Sequence, residues 1–121
     1  MYNYIKMRIE PKGPEAARLR QRKFQLLRTL EVPEDALPGS LALTHRRCGK
    51  PTCHCASGEG HPVWSLTFMV ASKKRVEHIP GEWVEAVRQR VERGRQVKEA
   101  LAEILAANAQ LLALGRRQRS R

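Results

Sequence analysis

Two periods of apolar residues alternate along this chain, and the change from one to the other outlines its elements. The first is helical. Ala16, Leu19, Lys23 (through its aliphatic stem), Leu26, Leu27 and Leu30 share one face at 3.6-residue spacing. Gly13-Pro14-Glu15 supplies the start of that helix, with proline at the first helical position and glutamate at the positive end of the dipole. Val32-Pro33 ends it, and residues 33–39 read as a connector because they hold two prolines and a glycine. A period of two follows. Ser40 to Arg47 reads as a strand with Leu41 and Leu43 on one face. Val63 to Val70 reads as a strand with Trp64, Leu66 and Phe68 on one face and Val63, Thr67 and Met69 on the other. Ala71-Ser72-Lys73 is short enough for a hairpin turn, and Lys74 to Ile79 is the returning strand.

Helical spacing then resumes from Glu82 to Leu114. Val84, Val87, Val91, Gly94, Val97, Leu101, Ile104, Leu105, Leu111 and Leu112 form its apolar stripe. The stripe drifts from a strict heptad near Val97, which argues against a long regular coiled coil. A helix of that length overhangs a three-stranded sheet, so its far half is expected to pack on the first helix or on a second chain. Gly115 reads as the helix stop, followed by a basic tail. Residues 1–12 have no clear pattern and read as an arm or a short strand. The fold class is therefore α+β: an N-terminal helix, a small antiparallel sheet of about three strands with an inserted loop, and a long C-terminal helix. The division is 1–38 for the arm and first helix and 39–121 for the loop-hairpin module with the long helix, as one compact domain overall. Trp64 and Trp83 are expected to anchor the core.

Charge changes the picture next. Lys and Arg total 23 against 12 Asp and Glu, a formal net charge of +11 in 121 residues. The excess is spread as +3, +4 and +4 over residues 1–38, 39–80 and 81–121. A field of that size concerns partners rather than fold. Nucleic acid, DNA or RNA, is the partner it fits best. Arg46, Arg47 and Lys50 flank the loop and are candidate phosphate contacts. Lys73, Lys74 and Arg75 at the hairpin are expected to extend the same patch, and Arg116 and Arg117 in the tail offer further contacts. A protein partner or a homodimer through residues 97–112 is the other expectation. There the chain acts as an interaction adaptor, docking or dimerising through its long helix. No membrane partner is expected. The start of the chain lacks an apolar signal segment, and no apolar run approaches the ~20 residues that span a bilayer.

A cytoplasmic setting keeps thiols reduced, and that bears on the loop Cys48 to Pro62. Cys48, Cys53 and Cys55 fall within eight positions, a density that fits a metal site better than disulfides. Zinc takes four ligands in a tetrahedron, and the spacing C-x4-C-x-C supplies three thiolates. Gly49, Pro51, Gly58 and Gly60 permit the sharp reversals this needs. His61 is the favoured fourth ligand, because a glycine-containing turn lets it fold back. His54 lies between two ligands and His45 precedes the first, so both are weaker candidates. The zinc reads as structural, Zn2+ without catalysis. The deaminase signature H-x-E with P-C-x-x-C is absent, acidic residues near the loop are few, and four protein ligands close the sphere. No phosphate-binding G-x-x-x-x-G-K-[ST] loop is present. The chain is not expected to be an enzyme.

Gly39-Ser40-Leu41, Arg46-Arg47-Cys48-Gly49-Lys50-Pro51, Cys53-x-Cys55-Ala56 and His61-Pro62 resemble a family of small uncharacterised prokaryotic proteins. Its pattern runs G-S-L, R-R-C-G-K-P-x-C-x-C-A and H-G-P-Y, then an aromatic strand, a basic hairpin ending in a V-P step and a long helix. Here Ile79-Pro80 stands at that step. The family's glycine after the histidine is missing, and Trp64 replaces a tyrosine. The resemblance covers residues 39–112 and leaves 1–38 outside. It implies the ligand set Cys48, Cys53, Cys55 and His61, and implies no activity.

Overall fold

The computed structural model describes residues 10–54, 57–58 and 60–119. The elements are α1 (Pro14–Thr29), β1 (Ser40–Arg46), β2 (His61–Val70), β3 (Lys73–Ile79), a 3-10 turn (Gly81–Trp83) and α2 (Val84–Arg119). The three strands form one antiparallel sheet in the order β1-β2-β3. The α+β architecture is as the periodicity predicts. The chain divides into two compact units, Met1–Glu31 with Val97–Arg121 and Val32–Gln96, and the division falls inside α2. The predicted arm or strand at the start lies outside the described residues up to residue 9. Among the described residues, no helix is long and apolar enough to cross a membrane.

The sheet unit is built on register. Leu41 pairs with Leu66, and Leu43 with Trp64. Trp64 in turn pairs with Ile79, Leu66 with Glu77 and Phe68 with Arg75. Residues paired across strands share a face, so Leu41, Leu43, Trp64, Leu66, Phe68 and Ile79 fall on one side. Leu66 on that side is buried, as are Val84 and Val87 at the start of α2. The Arg88 guanidinium lies over the Trp64 indole, 5.4 Å from its centre, a cation–π contact. Met69 and Val76 fall on the other side and are exposed. Trp83, expected as a core anchor, is exposed as well. The 3-10 turn carries it ahead of the helical face that Val84 and Val87 bury.

Two strands are longer than their periodicity indicates. β2 begins at His61 and β3 at Lys73, so the hairpin turn is the two residues Ala71-Ser72. Both have positive φ, 51° and 67°, as a type I′ turn requires. An L-residue with a side chain pays roughly 1–2 kcal/mol in that region, which Asn-Gly largely avoids. The double substitution Ala71→Asn with Ser72→Gly is therefore expected to raise stability by about 1–2 kcal/mol, read as a higher urea midpoint with an unchanged slope. Gly39, just before β1, has φ 91°, and a Cβ there would lie 2.0 Å from the Thr67 carbonyl oxygen.

The connector between α1 and β1 lies along α2. The Leu37 N–H donates to the Arg90 carbonyl at 3.0 Å. Arg90 and Arg93 both pair with Asp35, at 3.3 and 3.4 Å. Gly94 allows this approach, because a Cβ there would meet the Leu37 carbonyl oxygen at 2.0 Å. Periodicity placed Gly94 in an apolar stripe; its place is set by backbone contact.

The helical unit is an antiparallel hairpin of α1 with the later part of α2. Ala16 is fully buried and clusters with Leu111 and Leu114, with Leu19 packed against them. The inward residues of α1 and its C-cap are Ala16, Leu19, Lys23, Leu26 and Leu30; those of α2 are Val97, Ala100, Ile104, Ala107, Leu111 and Leu114. Both rows step by three and four, the seam of a two-stranded coiled coil. The predicted stripe is corrected here: Leu101, Leu105 and Leu112 point outward, as does Leu27 on α1. Ala100 and Ala107 take the inward places, since small side chains let the helices approach. Arg22 donates to Glu103 at 2.8 Å across the pair, and this bond holds the Glu103 carboxyl below its usual range. Lys23 donates to Asn108 at 3.0 Å.

Gly115 does not stop α2, which continues to Arg119. Two features carry it on. The Lys12 N–H donates to the Gln118 side-chain oxygen at 2.8 Å, and the Gln118 amide returns a bond to the Lys12 carbonyl at 2.6 Å. Arg116, Arg117 and Arg119 in the last turn favour the negative end of the helix dipole.

Candidate metal centre

The loop that carries the cysteines is clamped at both ends by the β1–β2 ladder. Arg46, the last residue of β1, pairs with His61, the first of β2. Cys48 lies two residues beyond one end of that pair, and His61 is the other end. Glycines make the closure possible. Gly60 has φ 91°, and a Cβ there would sit 2.7 Å from the Arg46 carbonyl carbon. Gly49 follows Cys48 with φ 83°. Between them Lys50-Pro51-Thr52-Cys53 is a β-turn, with the Cys53 N–H donating to the Lys50 carbonyl at 3.1 Å and proline at its favoured second place. The Ser57 N–H and hydroxyl both donate to the His54 carbonyl at 3.3 Å.

These turns bring Cys48, Cys53 and His61 together, with their ligand atoms all within 4.8 Å of one another. Cys53 Sγ and His61 Nε2 are 3.3 Å apart. In a tetrahedral zinc site a sulfur and a nitrogen ligand stand about 3.5 Å apart, and two sulfurs about 3.8 Å. The donor set and spacing therefore fit zinc with little movement. Cys53 and His61 are half-buried and Cys48 is exposed, and no disulfide joins the two thiols. His54 stands edge-on to His61, with ring centres 5.7 Å apart, a contact the sequence does not signal. Neither His45 nor His54 belongs to the converged group among the described residues. Cys55, the remaining candidate ligand, lies outside the described residues.

The basic candidates fall in separate places. Arg46, Arg47 and Lys50 are exposed beside the cysteine loop. Arg47 also donates to the Gly58 carbonyl at 3.3 Å, which ties its guanidinium to the loop. Lys73, Lys74 and Arg75 are exposed on β3 and pair with Val70, Met69 and Phe68. They do not extend the loop's patch. His61 and Val70 are opposite ends of a ten-residue strand, about 30 Å apart at ~3.3 Å per residue. Arg116 and Arg117 are exposed in the last turn of α2, in the helical unit.

No curated protein matches the chain, and no solved structure does. A family model described as a domain of unknown function (DUF6788) matches residues 15–89. That span includes α1 and the connector, which the motif resemblance leaves outside, and ends within α2 short of that resemblance's limit. With well over half of its length matched, the chain belongs to the DUF6788 family of domains of unknown function.

Proposed function

We propose that this chain is a zinc-stabilised nucleic-acid-binding accessory protein. Cys48, Cys53, Cys55 and His61 hold one structural zinc ion, and the stiffened loop presents Arg46 and Lys50 to phosphates. The convergence of two thiols and an imidazole to within 4.8 Å carries the metal half of the reading. The net charge of +11 supports a polyanionic partner. Four protein ligands leave no open coordination position, so the metal's role is structural and the chain is not an enzyme. A reducing cytoplasmic setting suits thiolate ligands. The R-R-C-G-K-P-x-C-x-C-A motif, as a signature of prokaryotic relatives, belongs to the same reading.

The test is fluorescence anisotropy of the zinc-loaded protein with labelled duplex DNA, single-stranded DNA and RNA across a salt series. Binding is expected to weaken steeply with salt through counterion release, and the best-bound probe names the ligand class. The double variant Arg46→Ala, Lys50→Ala is expected to bind less tightly and to reduce the salt slope by about two. Arg47 is left in place because of its bond to Gly58. Weak binding of all three probes at moderate salt would remove the nucleic-acid half of the proposal.

A further inference from the structure

The outer surface of the later part of α2 is apolar where a solvent-facing surface is normally charged. From Ala100 to Leu114, α2 carries a single charged residue, Glu103, and Arg22 pairs with it. Leu101, Leu105 and Leu112 are about half exposed, as are Phe24 and Leu27 on α1. A helix that is apolar all round is normally covered all round.

These residues form one face. Arg22 and Glu103 each precede a seam residue, Lys23 and Ile104, and bridge on one flank of the hairpin. Leu27 and Leu101 each follow a seam residue, Leu26 and Ala100, which places them on the opposite flank. Asn108 reaches Lys23 on that same flank. The contacts Lys12–Gln118, Ala16–Leu111 and Arg22–Glu103 set the heights of the two helices. They put Leu27 level with Leu101 and Phe24 level with Leu105.

We propose that this face binds a second copy of the chain, forming an antiparallel four-helix bundle. A two-fold axis along the hairpin lays α1 of one copy over α2 of the other without changing height. Phe24 then meets Leu105 of the second copy and Leu27 meets its Leu101, and every neighbouring pair of helices runs antiparallel. The face is therefore self-complementary, as a symmetric dimer requires. The area is sufficient. Half of five large side chains offers on the order of 450 Å² of apolar surface per copy, so about 900 Å² across the pair before Ala102, Asn108 and Ala109 add to it, against the ~1,000 Å² a specific interface needs. Residues 100–114 bring no unpaired charge to the contact, and Arg20, at the Leu112 end of the face, is turned to the Pro11 carbonyl, to which it donates at 2.7 Å.

The inference does not depend on the metal or on nucleic acid. Sedimentation of the full zinc-loaded chain across the micromolar range tests it. The expected mass is twice 13.8 kDa, unchanged at high salt because the contact is apolar. Leu105→Glu is expected to halve the mass while far-UV circular dichroism keeps its helical signal, and Phe24→Lys is expected to do the same. Mixing the two variants restores the dimer, since Lys at 24 then meets Glu at 105 and the other site keeps its Phe–Leu contact. A wild-type monomer throughout, a dimer that survives Leu105→Glu, or a mixture that stays monomeric would overturn the proposal.

Discussion

Cys53→Ser is expected to abolish stoichiometric zinc binding and to unfold the sheet unit while the helical hairpin stays folded. Cys53 is half-buried, with its Sγ 3.3 Å from His61 Nε2. A serine hydroxyl is a poor zinc ligand, so affinity should fall on the order of a thousandfold or more. The structural consequence follows from the size of the metal's contribution beside that of single hydrogen bonds. The loop's ties among the described residues include the Lys50–Cys53 and His54–Ser57 turns and the Arg47–Gly58 bond, each worth about 1 kcal/mol net. Metal binding contributes roughly 10–16 kcal/mol in isolated zinc-finger peptides, and that free energy is folding free energy. Both tryptophans, Trp64 and Trp83, lie in the sheet unit, so indole fluorescence reports on that unit alone. The measurement pairs metal analysis after gel filtration with thermal unfolding followed by fluorescence and by far-UV circular dichroism. A chelator on the wild type should reproduce the variant's fluorescence transition. Full zinc occupancy in Cys53→Ser with an unchanged transition would remove the metal assignment.

The second large effect is expected at Gly94, where the sign runs against helix propensity. Alanine in place of glycine inside a helix ordinarily stabilises by about 0.5–1 kcal/mol. At Gly94 the added Cβ would lie 2.0 Å from the Leu37 carbonyl oxygen and 2.9 Å from its carbon. Both are backbone atoms that cannot rotate away. The connector must lift, which weakens the Leu37–Arg90 hydrogen bond and the ion pairs from Asp35 to Arg90 and Arg93. Overpacking of this kind costs about 1–3 kcal/mol, and a lost backbone bond about 1 kcal/mol more. Gly94→Ala should therefore lower stability by about 2–3 kcal/mol in urea unfolding followed by tryptophan fluorescence. Gly81→Ala is the control, because a Cβ there meets nothing within 4 Å. A midpoint for Gly94→Ala at or above the wild-type value would mean that the connector does not lie on α2.

How much was legible in the sequence depends on the range of the interaction. Apolar periodicity located α1, all three strands and α2 because it reflects which side of each element is buried. Its errors have identifiable causes. β2 starts at His61 rather than Val63, since pairing with Arg46 extends the ladder through Pro62. α2 outruns Gly115, since Gln118 is tied to Lys12, 106 residues away in sequence. The inward row Val97, Ala100, Ile104, Ala107, Leu111 and Leu114 was hidden because two of its members are alanines and more apolar leucines stand beside them.

The chemistry of the cysteine loop lies in the sequence by itself. Three thiols and several histidines within a short glycine-containing segment define a metal-type donor set before any fold is known, and the charge of +11 is a property of composition. The tertiary structure alone decided which groups meet. It brought His61 to Cys48 and Cys53 through the Arg46–His61 pairing, and it set His54 edge-on beside it. It placed Lys73, Lys74 and Arg75 at the far end of β2 from the cysteine loop. It also turned Leu101 and Leu105 outward, level with Leu27 and Phe24. Donor identity is a property of single residues, whereas proximity depends on strand register, on backbone approach at Gly60 and Gly94, and on which helix faces pack together. Those are non-local quantities that no window along the chain contains.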